Sequence, residues 1–542
     1  MTTVRQVRRF GDGGLVVDVA SVRDAQALAA AIGIAQGWTG IEDVVVGYRS
    51  VVVVADPSMA DLASMAEDLA GMPAVGRETT SRRTVEIGVR FDGPDLDEVG
   101  ALASMTPAGV IGQLLEAELT VAFLGFLPGF AYLEGLPDAL AAVPRRSTPR
   151  TAVPPGSFAI GGGFAGIYPR ASPGGWRLLG RTGFELFDPE VAPFAALHPG
   201  DTVRLHLEDG PSATAGAAPE VTARPGLRWS GPDTVEVTAP GLLTMVQDLG
   251  RIGVASLGVP RAGAADLYTA RIANRLVGNE DGAGVVEVTG LGPRMRFDTS
   301  THVTVVGRAE ASVDGRPVAP DTVVPISAGQ ELAVGATRDD LRCYIAVAGG
   351  FEVAPVLGSR SSDVLTGLGP GALRSGDVLG IGAASRPRGQ VVGGDRARAD
   401  GGTRVVRVLA GPDELATDAA DRLGATRWEV DGASDRMGVR LDGDEPVGLG
   451  TTGTSSRGMV TGAVQVPPDG RPVVLLCDHA TVGGYPVAAT VVRADLGVLG
   501  QLRPGDPVRF EVVDLDEATR ARAQAERALD RAVVGWFPVR SD

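Results

Sequence analysis

Hydrophobic positions along the first ninety residues switch between a period of two and a helical period, and the switches mark the elements. Residues 4–19 read as a strand, a Gly turn and a second strand. Residues 21–36 (SVRDAQALAAAIGIAQ) carry apolar groups at helical spacing, with Ser21 placed as an N-cap. VVVGYRSVVVVADP then reads as a hairpin, 58–71 as a second helix and 83–90 as a strand. Together these predict a βαβ-type α+β lobe without a chemical motif, suited to packing or docking. Residues 95–121 give two short helices, the second opening with Thr106 as cap and Pro107 in its first position.

From Phe123 to Thr182 the periodicity breaks. FLGFLPGFAYLEGLP, PRRSTPRTAVPPGS and GGGFAGIYPRASPGGWRLLGRTG are punctuated by Gly and Pro, which interrupt helices, so this stretch predicts short strands and tight turns. It holds Arg145, Arg146, Arg150, Arg170, Arg177 and Arg181 close to aromatic residues. Arg offers planar, bidentate donors, so the pattern points to a pocket for a carboxylate or phosphate. GGGFAG at 161–166 lacks a following helix and reads as a turn between strands. LHPGDTVRL then leads by a turn into a last strand of this half.

Residues 209–230 are Pro, Ala and Gly rich and mark the main boundary. Strands dominate beyond it, with a helix at about 264–277, a polar break at 384–403 and a charged helical tail. The expected units are an N-terminal α+β lobe (1–85), a β-rich unit (86–208), the linker, a strand-rich lobe (231–383), the loop (384–403), a second strand-rich lobe (404–514) and a C-terminal helix and tail (515–542). An internal repeat links the halves. LHPGDTVRL at 197–205 matches LRPGDPVRF at 502–510, preceded by PGS (155–157) and GGW (174–176) in one case and by TGA (461–463) and GGY (483–485) in the other. Three landmarks in one order predict two related β-barrel lobes.

Composition narrows the chemistry. The 542 residues carry a net charge of −16, which opposes general nucleic-acid binding and attraction to an anionic membrane surface. All 50 basic residues are Arg, which excludes a P-loop lysine, a Schiff-base lysine and a biotinyl-lysine. Cys343 and Cys477 sit in separate apolar runs and read as buried free thiols. The start lacks a secretory apolar core and no segment approaches a membrane span, so a cytoplasmic protein is expected.

The second half adds Asp248, Arg251, Arg261 and Asp266 near Gly turns, then Arg436, Arg440, Ser456 and Arg457, then Asp478, His479 and Tyr485 in CDHATVGGYP. His479 is one of four histidines, and beside Asp478 it has the makings of an acid–base pair. His198, His206 and His302 lie in strand or turn contexts. Too few ligands cluster for a metal site.

The quoted run from FLGF to GRTG resembles the B subunit of 5-oxoprolinase, a family that includes allophanate hydrolase subunit 1 and sporulation-kinase inhibitors. TMVQDLGRIGVASLGVPRAGAAD, DRMGVRL, GAVQVPPDGRP, GGYP and LRPGD are similar to the C subunit of 5-oxoprolinase, or allophanate hydrolase subunit 2. Both also resemble the carboxyltransferase region of urea carboxylase. The resemblance covers nearly the whole chain, in B-then-C order, as in a natural fusion. It implies a mainly β, α+β fold of duplicated cyclophilin-like barrels with the small N-terminal lobe.

What the resemblance implies for activity is ATP-dependent opening of 5-oxo-L-proline to L-glutamate, a cyclic-amide hydrolysis carried out with the separate A subunit of 5-oxoprolinase. ATP would be the co-substrate, with Mg, and no biotin would sit on this chain. Candidate catalytic groups are Asp248, Asp478 and His479. Candidates for holding the small anionic substrate or ATP are Arg145, Arg150, Tyr168, Arg181, Arg251, Arg436, Arg457, Gln465 and Tyr485. An allophanate or urea carboxyltransferase-like component and a non-enzymatic histidine-kinase-binding regulator are the alternatives, and self-association is left open. The chain departs from the family pattern at Leu114, at Phe164 and Ala165, and at Arg457.

Overall fold

The computed structural model describes residues 6–34, 38–72, 83–208, 226–383, 402–413, 416–448 and 455–532. Most of the expected linker at 209–230 and of the expected loop at 384–403 lies outside the described residues. No helix among the described residues is long and apolar enough to cross a membrane.

The N-terminal lobe is a four-stranded sheet in which Ser50–Ala55 lies between Gly14–Asp18 and Ile41–Gly47, antiparallel to both. Those two neighbours therefore run parallel, joined through helix Val22–Ile34, which makes a split βαβ unit. Ser21 accepts the Asp24 N–H at 3.2 Å, and Asp61 caps the second helix, Leu62–Gly71. The strand expected to end this lobe, Thr84–Val89, pairs instead in parallel with Thr202–Leu207 of the next sheet.

The two barrels have the same strand order. In the first, Arg177–Arg181, Ser157–Gly161, Phe164–Ile167, Ala131–Glu134, Leu119–Leu124, Thr202–Leu207 and Thr84–Val89 follow one another. An Arg90–Arg181 bridge joins the two ends. In the second, Val487–Val491, Ala463–Gln465, Val473–Leu475, Gly438–Gly443, Trp428–Val430, Pro507–Val512 and Arg404–Ala410 close fully. Each position in one has a counterpart in the other, and in both the first and last strands in sequence are parallel. The two-stranded flaps correspond as well: Arg150–Val153 with Ser172–Gly174, and Arg457–Gly458 with Val482–Gly483. Gly162 and Gly163, at φ 65° and 85°, form the two-residue hairpin turn read from GGGFAG.

The shared Pro-Gly-Asp turn has a local cause. Asp201 accepts the His198 N–H at 2.9 Å and Asp506 the Arg503 N–H at 3.0 Å, so the carboxylate closes the turn that launches the last strand. A third copy, LRSGDVL from Leu373, does the same, with Asp377 accepting the Arg374 N–H at 2.8 Å. It launches Val378–Ile381 in the lobe between the barrels, which is built from a seven-stranded and a five-stranded sheet. Helix Leu515–Ala532 lies along helix Leu267–Leu276 through Arg271–Glu526 and Arg275–Asp530 pairs at 2.8 and 2.9 Å.

One apolar cluster crosses the main boundary. It joins the N-terminal sheet (Phe10, Val16, Val52), the first barrel's aromatics (Phe123, Phe130, Tyr132, Phe164, Tyr168, Trp176) and Met459, Val460, Ala463, Val482 and Val487 of the second barrel. Gly125 of FLGFLPG sits against Val482, where a Cβ would lie 2.3 Å from a valine methyl. The Gly129 N–H donates to Leu257 O at 2.9 Å. The N-terminal lobe docks onto the second half through Glu42, which pairs with Arg261 and Arg493, each at 2.8 Å.

Phe164 and Leu114 both serve packing. Phe164 is buried edge-on against Phe123, Tyr132 and Tyr48, at centroid distances of 5.9, 5.6 and 5.4 Å. Leu114 is fully buried in the first barrel's core.

Candidate functional site

The arginines of the first barrel are distributed over several carboxylates of this chain. Asp95, which follows the first barrel strand, accepts from Arg150 at 2.7 Å, from Arg146 at 3.3 Å and from the Leu178 N–H at 2.7 Å. Arg181 donates to both carboxylate oxygens of Asp92, at 3.0 and 3.1 Å from Nε, on the barrel surface. Arg177 pairs with Glu98. The clamp at Asp95 recurs in the second barrel. Asp413 takes both ends of the Arg457 guanidinium at 2.6 Å and the Val487 N–H at 2.9 Å. Arg457 is also stacked over Phe10 at 5.6 Å. Arg150, Arg181 and Arg457 are thus engaged by carboxylates of this chain.

Arg145 differs. Its guanidinium lies 5.8 Å from the Trp176 ring centroid, and among the described residues it has no hydrogen bond or ion pair. A Cβ at Gly162 would meet its Nε at 3.0 Å, so the glycine turn makes room for it. Tyr132 and Tyr168 lie near enough to feel its charge. Burial raises the hydroxyl pKa of both, that of Tyr168 to about 12, against the pull of Arg145. Both stay neutral donors.

In the second half, Asp248 is fully occupied. Its Oδ1 accepts from Gly250 N–H, Ser359 Oγ and Ser361 Oγ at 2.8, 2.6 and 2.6 Å, and its Oδ2 from Arg360 N–H at 2.7 Å. Arg436 is buried between two lobes. It grips Asp478 at 3.0 and 2.9 Å, Glu287 at 2.5 Å and Gly263 O at 2.6 Å. Burial works against its charge, but Asp478 and Glu287 raise its pKa well above the ordinary value. Gln465 donates to the Met459 sulfur at 3.3 Å, and Tyr485 is exposed. Asp248 and Arg436 therefore hold the framework.

The two barrels and the intervening lobe converge on the loop from Ser359 to Gly369. From the lobe, Arg251 donates to Ser361 O at 2.5 Å and Gln247 to Ser362 O at 3.0 Å. From the second barrel, Asp478 accepts the Val364 N–H at 3.0 Å. From the equivalent loop of the first barrel, Arg170 reaches Gly367, where a Cβ would lie 2.6 Å from its Nη2. Leu365 packs on the aromatic cluster.

Asp363 sits at this junction, 2% exposed. It accepts from the Leu365 and Thr366 N–H groups at 2.8 and 3.2 Å and from the Thr366 hydroxyl at 2.6 Å, and no arginine among the described residues is bonded to it. Burial, reinforced by the Asp478 charge, pushes its pKa up to about 6 despite those donors. Arg251, 1% exposed, bonds among the described residues only to carbonyls and leaves Nη1 without a partner there. His479 donates from Nδ1 to Ala480 O at 2.8 Å, because a carbonyl can only accept. Burial lowers its pKa, so the ring is neutral and Nε2 carries the lone pair. Burial thus opposes protonation of the ring, which sits next to the buried, paired Asp478.

Asp363, Gln247 and Glu287 are absent from the sequence candidates for catalysis or binding, and Arg170 enters them only as one of the grouped arginines of the first half. The signal for Asp363 was the Ser-, Gly- and Thr-rich run SSDVLTGLG at 361–369, a turn composition inside a region read only as strands.

Residues 5–197 match the family described as carboxyltransferase domain, subdomain C and D, and residues 257–512 match carboxyltransferase domain, subdomain A and B. The chain is 35% identical over 309 residues to the C subunit of 5-oxoprolinase from Escherichia coli, covering 55% of this chain and 97% of that protein. It is 46% identical over 129 residues to the B subunit of 5-oxoprolinase from Haemophilus influenzae, covering 23% of this chain and 60% of that protein. The crystal structure of TTHA0988 superposes with a TM-score of 0.81 at 34% identity, covering 93% of this chain and 100% of that one.

Proposed function

The chain belongs to the carboxyltransferase-domain family as a fusion of its B-like and C-like halves, and on that footing we propose that it is the B/C component of an ATP-dependent 5-oxoprolinase. With a separate partner of the A-subunit type it would open 5-oxo-L-proline to L-glutamate. The observation that carries this reading is the junction at Ser359–Gly369, where loops of both halves meet over a shared apolar core. A substrate bound there would touch side chains that neither half holds alone.

The chemistry asked of the junction is modest. An amide made electrophilic by phosphorylation needs a positioned water and a group to take its proton. Asp363, with its pKa near neutrality, is suited to take that proton. Asp478 would keep its place beside it through Arg436. Arg145 would meet an anionic group at the aromatic wall.

ATP would act as co-substrate, supplying the phosphoryl group that activates the amide oxygen. Among the described residues no three His, Cys, Asp or Glu side chains gather as a metal site. A magnesium ion arriving with ATP would be held by the phosphates.

The test is reconstitution with a homologue of the 5-oxoprolinase A subunit, following glutamate and phosphate release. The expected result is 5-oxoproline-dependent ATP hydrolysis with one phosphate released per glutamate formed. No stimulation by 5-oxoproline in the complete mixture would sink the reading.

A further inference from the structure

We propose that Arg170 and Arg251, one from each family half, form a carboxylate-binding subsite against the Ser359–Gly369 loop at the three-lobe junction, where Arg170 approaches Gly367 and Arg251 holds Ser361. The inference rests on the reading above in taking the carboxylate of 5-oxoproline as the ligand group. The two arginines come from sequence-distant elements, Arg170 from the loop after strand Phe164–Ile167 and Arg251 from the loop after strand Leu243–Gln247. Among the described residues Arg170 has no hydrogen bond or ion pair. The Arg251 side chain, 1% exposed, is bonded among the described residues only to the carbonyls of Val356 and Ser361, with Nη1 unpartnered there.

A buried guanidinium without a bonded anion is costly, and the ordinary remedy is a carboxylate at hydrogen-bond distance. The nearby acids of the chain do not supply one. Asp248 and Asp478 are occupied by other donors, and Asp363 spends its oxygens on Leu365 and Thr366. Asp363 is nonetheless the carboxylate whose charge acts most strongly on both arginines. Its field reaches both guanidiniums without a bond to either, which leaves their donors for a ligand.

The same acids select the ligand. Asp248, Asp363 and Asp478 crowd the junction with negative charge, so a polyphosphate is repelled more than a single carboxylate. Gln247 Oε1 is also buried and unpartnered, on a side chain bonded to the carbonyl next to the one Arg251 holds. It is an acceptor, the complement of a lactam N–H. One carboxylate and one amide N–H describe a cyclic amide acid, and both halves of the chain are needed to hold it.

The experiment measures binding to the full chain without ATP, by calorimetry, first by itself and then with a homologue of the 5-oxoprolinase A subunit. The probes are 5-oxo-L-proline, 2-pyrrolidinone (the same ring without the carboxylate) and ATP. Arg170→Gln is the main variant, because Arg170 is exposed and its loss spares the fold; Arg251→Lys is the second. Each variant is expected to weaken 5-oxoproline roughly 10- to 100-fold, the loss of a charge-assisted contact. 2-Pyrrolidinone should bind the wild-type chain weaker by a similar factor, and ATP should not displace 5-oxoproline.

Equal affinity for the two ring compounds would overturn the subsite, as would wild-type affinity in Arg170→Gln, displacement by ATP, or no binding in the presence of that homologue. The two readings fail separately. Carboxylate-dependent binding without turnover removes only the 5-oxoprolinase assignment. Turnover with an unchanged KM in Arg170→Gln removes only the subsite.

Discussion

Arg150 and Arg457 occupy the same place in two copies of one barrel. Each donates to an aspartate that follows the first strand, Asp95 at 2.7 Å and Asp413 at 2.6 Å. Each aspartate also accepts a backbone N–H from the same strand position, Leu178 in GGWRL and Val487 in GGYPV. Such a clamp fastens the two-stranded flap to the barrel wall. Arg150→Ala and Arg457→Ala should each lower unfolding free energy by about 1.5–3 kcal/mol, with KM for substrate little changed. Urea unfolding beside steady-state kinetics checks this, and a raised KM at unaltered stability would contradict it.

Arg145 should behave in the opposite way. Its guanidinium rests on Trp176 with no partner among the described residues, so Arg145→Ala should leave stability within about 0.5–1 kcal/mol of wild type. If it meets an anion at the aromatic wall, kcat/KM should fall roughly 10- to 100-fold. Arg181→Ala, which frees only a surface pair with Asp92, is the control and should change neither quantity.

The contact between the halves is tight enough to test by overpacking. A Cβ at Gly125 would fall 2.3 Å from Val482 Cγ2, so Gly125→Ala should destabilise the chain by about 1–3 kcal/mol. Val482→Ala removes the obstructing methyls, and the double variant should recover part of that loss. Thermal unfolding of the four proteins in the cycle measures the coupling, and strict additivity would show that the two residues do not touch.

Asp43 gives a pH dependence. It is buried where the N-terminal lobe meets the second half and accepts the Ala255 N–H at 2.9 Å. Gly253, Arg261 and Glu42 face it. Burial outweighs the favourable donors and raises its pKa from 3.8 to about 6. Below about pH 4 the carboxyl is protonated folded or unfolded. Between there and about pH 6 the folded protein keeps a proton that the unfolded chain has released, so this group's contribution to stability falls as pH rises. The loss, about 3 kcal/mol, is complete above that range. Asp43→Asn keeps the acceptor and should be neutral near pH 4 yet more stable than wild type at pH 7.5. Unfolding curves across that range provide the check.

The duplicated barrels were legible because their turn chemistry is local. A Pro-Gly-Asp turn closes within four residues, so LHPGDTVRL and LRPGDPVRF announce it in any sequence context. The third copy at Leu373 is harder to see because Ser375 replaces the proline while Asp377 still makes the same bond. Thr106 was equally readable, and it accepts the Gly109 N–H at 3.1 Å.

The arginines were legible only as a group. Whether one is free depends on carboxylates far away in sequence, as with Asp95 for Arg150 or Asp413 for Arg457, and no local pattern reports that pairing. Asp363 was hidden for the same reason. Its character comes from the three lobes around it and not from its neighbours in the chain.

The apolar cluster that spans Phe10, Phe123, Tyr168, Met459 and Val487 has a consequence for supply. The Escherichia coli relative is named as a C subunit and the Haemophilus influenzae relative as a B subunit, whereas this chain carries sequence of both kinds. Here covalent connection makes the encounter of the two halves unimolecular, at an effective concentration on the order of millimolar. Dilution cannot separate the halves, and synthesis delivers them in strict one-to-one stoichiometry. An excess of one half over the other cannot arise.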